Sequence, residues 1–189
     1  MIDNVYKDYK ITKNTQALLP SYRSDSSTLV FETGLKIYVK QNPLEIIKAA
    51  CLDGFSTYEG RREAAIYRMG AKRKVPIAIC PMRDIYAFPS LSPTNFHCHW
   101  LFFDHIQDFT SPKNDSRQTI VTFKNNRKLL LSVSPSVLEK QMYRTSLCIL
   151  RCNQHGEQSR GVQYNPLTEY SGNADYTPTI AFNSLSNLE

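Results

Sequence analysis

A chain of 189 residues with 41% hydrophobic and 11% aromatic residues has material for one core, which excludes a disordered polypeptide and leaves little room for a second domain. Its formal charge of +6 is uneven, because residues 161–189 hold no Lys or Arg and three acids, so residues 1–160 carry all 23 bases against 14 acids, a net of +9. Such a body attracts phosphate or anionic lipid, and with no basic-then-apolar leader and no run near the ~18–20 apolar residues of a membrane span, a cytoplasmic protein without a membrane partner is expected.

Residues 1–27 are polar and Ser-rich with isolated Tyr, Ile and Leu, so a loose N-terminal arm with room for one edge strand is expected before a folded domain over 28–160. "TLVFETGLKIYVK" places two β-rich runs around Thr33-Gly34, a hairpin loop in which Gly supplies a positive φ. "NPLEIIKAACLDGF" then sets Leu44, Ile47 and Cys51 at helical spacing, with Asn42 as N-cap, Pro43 at the first helical position and Gly54 near the stop. A second helix is predicted from Tyr58 to Met69. "VPIAICP", "DIYAFPS" and "FHCHWLFFDHI" read as strands, and "QTIVTFKNNRKLLLSV" as a second hairpin turning at Asn125-Asn126. "SVLEKQMYRTSLCILRC" reads as a helix opened by a capping box of Ser136 and Glu139. From Gly161 onward the Asn, Ser, Thr, Tyr and Gly content without apolar period predicts a mobile tail. The fold class is therefore α+β, an antiparallel sheet with helical segments packed on it.

Five cysteines, Cys51, Cys80, Cys98, Cys148 and Cys152, are odd in number and sit in apolar contexts, as reduced thiols do. A strand through "FHCHW" would put His97 and His99 on one face and Cys98 with Trp100 on the other, which splits the donors of any metal site. Cys80 or His105 could complete such a site only through the tertiary fold. Cys148 and Cys152 lie one helical turn apart with His155 beyond, and apolar Ile149 and Leu150 between them favour a core or boundary role. The Gly-x-Ser-x-Gly, Walker-type and His-Glu-x-x-His patterns are missing, and no pair of carboxylates stands apart for acid–base work. Neither an enzyme nor a cofactor is expected; a Cys98-dependent enzyme is the weakest alternative.

The bases are better organised. On a helix over Tyr58–Met69, Arg61 and Arg68 lie two turns apart on one stripe joined by small Ala65, with Arg62 beside them, while Ile66 and Met69 face a core. Lys72, Arg73 and Lys74 follow Gly70 in a loop, and Lys140, Arg144 and Arg151 form a second stripe at offsets of four and eleven. Two such stripes on an acid-poor body point to a nucleic-acid backbone, and these nine bases are the candidate DNA-binding residues. An orthodox helix-turn-helix does not fit, since Gly60 stands where its second helix needs an apolar anchor. An RNA-binding protein of like charge is the main rival.

Several short motifs in fixed order resemble the bacterial competence transcription factor family, ComK. They are Tyr38-Val39, Pro43-Leu44 with Ile46, Cys51, Ser56 with Tyr58 and Gly60-Arg61, Pro76, Phe88-Pro89 with Leu91-Ser92, Cys98 with Trp100, Val121-Thr122-Phe123, and Gln141 with Tyr143-Arg144-Thr145. The resemblance implies a nucleoid-associated activator of DNA-uptake genes that binds double-stranded AT-rich promoter boxes chiefly through the minor groove, as a homodimer or dimer of dimers. RNA polymerase and a proteolytic adaptor are further partners it implies. The narrow, strongly negative minor groove of A-tracts favours Arg, and Arg61 is the residue expected to enter it. The C-terminal end departs from the family, whose Phe/Tyr-Pro adaptor element survives only as an echo in Val162, Tyr164 and Pro166.

Overall fold

A computed structural model describes residues 4–161, and side chains to residue 154. Ten strands and three helices are found there: β1 Val5–Tyr6, β2 Thr15–Pro20, β3 Thr28–Glu32, β4 Leu35–Val39, α1 Pro43–Asp53, α2 Tyr58–Met69, β5 Ile77–Cys80, β6 Ile85–Pro89, β7 Trp100–Phe102, β8 Ile106–Thr110, β9 Thr119–Phe123, β10 Lys128–Leu131 and α3 Pro135–Gly161. Seven strands form one sheet in the order β1-β4-β3-β2-β7-β6-β5, antiparallel except for β1 beside β4, and β10-β9-β8 form a second antiparallel sheet. The α+β class expected from sequence is the one observed.

The large sheet is covered on both faces, and the period of two along its strands divides the core. Leu18, Val30, Ala87, Trp100 and Phe102 point to the side where Ile46, Ile47 and Cys51 of α1 and Tyr58 of α2 pack. Ala17, Leu19, Phe31, Phe88 and Leu101 point to the other, against Val121 and Phe123 of the small sheet and Leu138 of α3. Two helices, α1 and α2, thus close one face, and the second sheet together with α3 closes the other.

The hairpins and the first two helices form where their caps and turns place them. Asn42 accepts from Glu45 N–H and Glu45 returns a bond to Asn42 N–H, both at 3.0 Å, so α1 opens on a complete capping box. Gly34 takes φ +86° between β3 and β4, and Asn126 takes φ +63° between β9 and β10.

Three expectations are corrected. Residues 1–27 are not a loose arm, because β2 lies in the middle of the large sheet, paired with β3 on one side and β7 on the other and buried throughout. A strand covered on both faces shows a short apolar run instead of alternation, and "ALLP" is too brief to stand out. The strand expected through "FHCHW" begins only at Trp100; His97, Cys98 and His99 lie in the connection from β6, where Asn95 Oδ1 accepts from His97 N–H at 2.8 Å and Ser90 Oγ from His99 N–H at 2.9 Å. Finally, α3 starts at Pro135, and the Ser134 carbonyl accepts from Val137 and Leu138 N–H at 3.0 and 3.3 Å. Proline, with φ preset and no N–H to satisfy, takes the first helical position and leaves Ser136 inside the helix, so the Ser136–Glu139 box does not form. Gly161, the expected start of the tail, is the last residue of α3; the rest of that segment, with Val162, Tyr164 and Pro166, lies outside the described residues, as does the His155 side chain.

Candidate nucleic-acid interface

Thr57 opens α2 by accepting from Gly60 N–H at 2.9 Å, and Gly70 closes it in the left-handed conformation at φ +69°. Only Tyr58 and Ala65 of this helix are buried, Tyr58 edge-on to Trp100 with centroids 6.3 Å apart. That anchorage leaves Arg68 on the exposed side of the helix. Gly70 then turns the chain into residues 71–76, the loop with Lys72, Arg73 and Lys74.

This loop is held from both sides. Arg62 on α2 donates from Nη2 to the Lys72 carbonyl at 3.2 Å, and Arg144 on α3 donates from Nη1 to the Arg73 carbonyl at 3.1 Å. Gln141, buried on α3, donates from Nε2 to the carbonyls of Lys74 at 2.8 Å and Pro89 at 3.0 Å. Its own backbone carbonyl accepts from Thr145 Oγ1 at 2.7 Å, and its side-chain oxygen accepts from Arg144 at 3.4 Å. Three successive loop carbonyls are therefore bonded to side chains from two helices, and the Lys72 and Arg73 side chains remain exposed. Lys74 is half-buried at φ +50°.

The structure distributes the nine candidate bases among three roles. Lys72, Arg73, Lys140, Arg68 and Arg151 are exposed, with Lys74 at the loop's inner end. Arg62 and Arg144 use their guanidinium groups on the protein's own backbone. Arg61 is turned inward: Nη2 donates to the Gly54 carbonyl at 2.6 Å, and Nε is buried without a partner. The stripe Arg61–Ala65–Arg68 therefore divides, with Ala65 in a packed position, Arg61 half-buried and Arg68 outside over the Tyr67 ring, 5.9 Å from its centroid. Among the described residues, none of the nine is in an ion pair; Glu59, the acid beside them, bonds instead to Lys48 of α1 at 3.2 Å. Its own backbone N–H, with Lys48, holds the Glu59 carboxyl below its ordinary range.

Arg61, Arg68 and Arg151 come together around a groove of about 300 Å³ between α2 and α3, floored by Ala65, Ala78 and Pro81 and edged by Cys148 and Cys152. Helical spacing announced each stripe, but nothing local in sequence could announce that α3 lies beside α2.

The alternative centred on Cys98 has a different setting. Its thiol is buried and turned toward the carbonyls of Leu91 and His99 at 3.6 and 3.7 Å, and burial pushes it above an ordinary thiol. A protonated, enclosed sulfur is a poor nucleophile. His97 is exposed and pairs through Nδ1 with Tyr22 Oη at 2.8 Å, whereas His99 is largely enclosed and its imidazolium is disfavoured by burial. Among the described residues, no three His, Cys, Asp or Glu side chains are grouped to hold a metal, and no helix is long and apolar enough to cross a membrane.

Residues 6–157 match the family model described as ComK protein. The chain belongs to the ComK family. A relative, the competence transcription factor of Bacillus subtilis (strain 168), is 30% identical over 145 residues, which cover 76% of this chain and 74% of that protein. No solved structure gives a significant match. ComK membership assigns the chain to transcription regulation and competence, and the resemblance in "STYEGRR", "FPSLS" and "QMYRT" is borne out at the level of the family. Those segments now have places in the fold: α2 and its cap, the end of β6, and the part of α3 that braces the basic loop.

Proposed function

We propose that this ComK-family chain activates DNA-uptake genes by binding AT-rich promoter duplex, with the 71–76 loop entering the minor groove and the exposed bases of α2 and α3 resting on phosphates. The observation that carries this reading is the bracing of the loop by Arg62, Gln141 and Arg144. A loop of basic residues with its backbone already bonded loses little entropy on binding, which is the use of preorganisation. Width supports the same choice, since an α-helix about 10–12 Å across cannot enter a minor groove about 6 Å wide, whereas a single chain segment can.

In this reading Arg73 takes the groove-entering role that sequence alone suggested for Arg61, and Arg61 positions α2 against Gly54. Lys72, Lys140, Arg68 and Arg151 make phosphate contacts, which set register without reading bases. No cofactor is needed, and two copies would address facing boxes as a dimer within the nucleoid.

A competition titration tests the groove. Inosine–cytosine pairs lack the guanine amino group of the minor groove but keep the major-groove pattern of guanine–cytosine. Affinity for a box in which these pairs replace A·T should stay near that of the A-tract, and guanine–cytosine pairs should weaken it. If the inosine box is rejected like the guanine box, recognition lies in the major groove and the proposed role of the loop is wrong.

A further inference from the structure

The α2–α3 groove contains chemistry that phosphate contact does not use. Cys148 and Cys152 stand one turn apart on α3 at its edge, Cys148 buried and Cys152 half-exposed. Beside the Cys152 sulfur lies Tyr86 of β6, whose hydroxyl is 98% enclosed with its residue and has no hydrogen bond of ordinary geometry. Arg61 and Arg68 face the same sulfur from α2, and Arg61 Nε is likewise without a partner. Asp84, in the turn before β6, acts electrostatically on Tyr86.

Cys148 one turn away, the Tyr86 hydroxyl beside it and the charges of Arg61 and Arg68 hold Cys152 below the usual thiol range against the opposing effect of burial. Its neighbour Cys152 and burial push Cys148 upward. A thiolate at the edge of an accessible, positively charged groove is the setting in which cysteine reacts.

We propose that Cys152 is a thiolation site, at which a small anionic disulfide forms a mixed disulfide that closes the α2–α3 groove and lowers DNA affinity. The Cys152 thiolate attacks one sulfur of the disulfide, the S–S bond of the reagent breaks, and its other half leaves as a thiolate that takes a proton from water. Cys152 is oxidised and half of the reagent is reduced; a reducing thiol reverses the exchange. Arg61, Arg68 and Arg151 recognise the carboxylates of the reagent, and its bound half then supplies the counter-charge that DNA phosphate would otherwise supply to Arg68 and Arg151. Cys148 and Cys152 sit at i and i+4 of a continuous helix, where disulfide geometry requires the turn to distort, so the mixed disulfide persists instead of resolving internally. The effect on DNA rests on the proposed function, whereas the site of reaction does not.

The test uses the full-length protein and glutathione disulfide. Mass spectrometry with peptide mapping should find one glutathionyl group, on Cys152, removed by dithiothreitol. Cys152→Ser should bind the A-tract duplex as the parent does and resist the modification, and Cys148→Ser should still be modified at Cys152. Alkylation of Cys152 by iodoacetamide should reach its half-maximal rate at a pH below the ~8.5 of a free cysteine, and Arg68→Gln should move that midpoint upward. The modified protein should bind DNA at least tenfold more weakly, with recovery on reduction. Modification mapped to another cysteine, or to none, overturns the site. Modification at Cys152 with unchanged DNA affinity overturns the control, and failure of the unmodified protein to bind DNA shows that the functional reading has failed, taking the control with it but leaving the mapped site to be judged separately.

Discussion

Arg144 Nη1 lies 3.1 Å from the carbonyl oxygen of Arg73, so one base of the candidate surface holds another in place. This relationship separates two effects that charge alone would merge. Arg144→Ala leaves the Arg73 side chain present but releases its backbone, and a hydrogen bond from a charged donor is worth about 1.5–3 kcal/mol. DNA affinity should fall by that order, and Arg144→Lys should not restore it, because an ammonium on a flexible stem lacks the guanidinium fork. Lys140→Ala, which removes an exposed charge without a backbone bond, should weaken all duplexes alike and lower the salt slope by about one unit.

Gln141 offers a test of the brace that reads stability. Its amide serves two carbonyls from inside the protein, those of Lys74 and Pro89. Gln141→Ala leaves both without this donor, and a buried unsatisfied group costs about 1–3 kcal/mol. Urea unfolding should show a loss in that range or above, with proteolysis within residues 71–76 accelerated under native conditions.

Gly54 is required for its lack of a side chain. A Cβ there would lie 2.7 Å from Arg61 Nη2 and 2.9 Å from the Ile79 carbonyl, at an ordinary φ of −89°. Arg61 can swing away but the strand carbonyl cannot, so Gly54→Ala should destabilise by about 1–3 kcal/mol through overpacking. Arg61→Ala in the same background should recover only part of the loss.

His99 and His105 give stability a pH dependence of known sign. Burial lowers both below the ordinary histidine value. The unfolded chain therefore binds more protons than the fold as pH drops through about 6.5, and stability declines from there until the folded values are passed. Unfolding free energy should fall from pH 7 toward pH 5, and His99→Gln should flatten part of that slope.

Sequence carried the elements better than their arrangement. Asn42, Pro43, Gly54, Gly34 and Gly70 mark helix ends and turns because each acts on its own neighbours, and those boundaries appear as read. Thr15–Pro20 was hidden because a strand paired on both edges and covered on both faces owes its place to residues far along the chain. The same holds for the basic surface. Spacing found two stripes, but that Arg62 and Arg144 grip the backbone of the 72–74 segment depends on partners 10 and 71 residues away, and the inward turn of Arg61 depends on a loop glycine.

The most direct test of the basic surface is the salt dependence of binding to an A-tract duplex, measured for the parent and for the combined Lys72→Ala, Arg73→Ala and Lys140→Ala variant. Each phosphate neutralised contributes about −0.9 to the slope of log affinity against log salt concentration. The parent should show a steep slope and the variant one shallower by about two to three units, with circular dichroism confirming that it is folded. An affinity flat in salt, or a folded variant with the parent's slope, would contradict DNA binding through this surface.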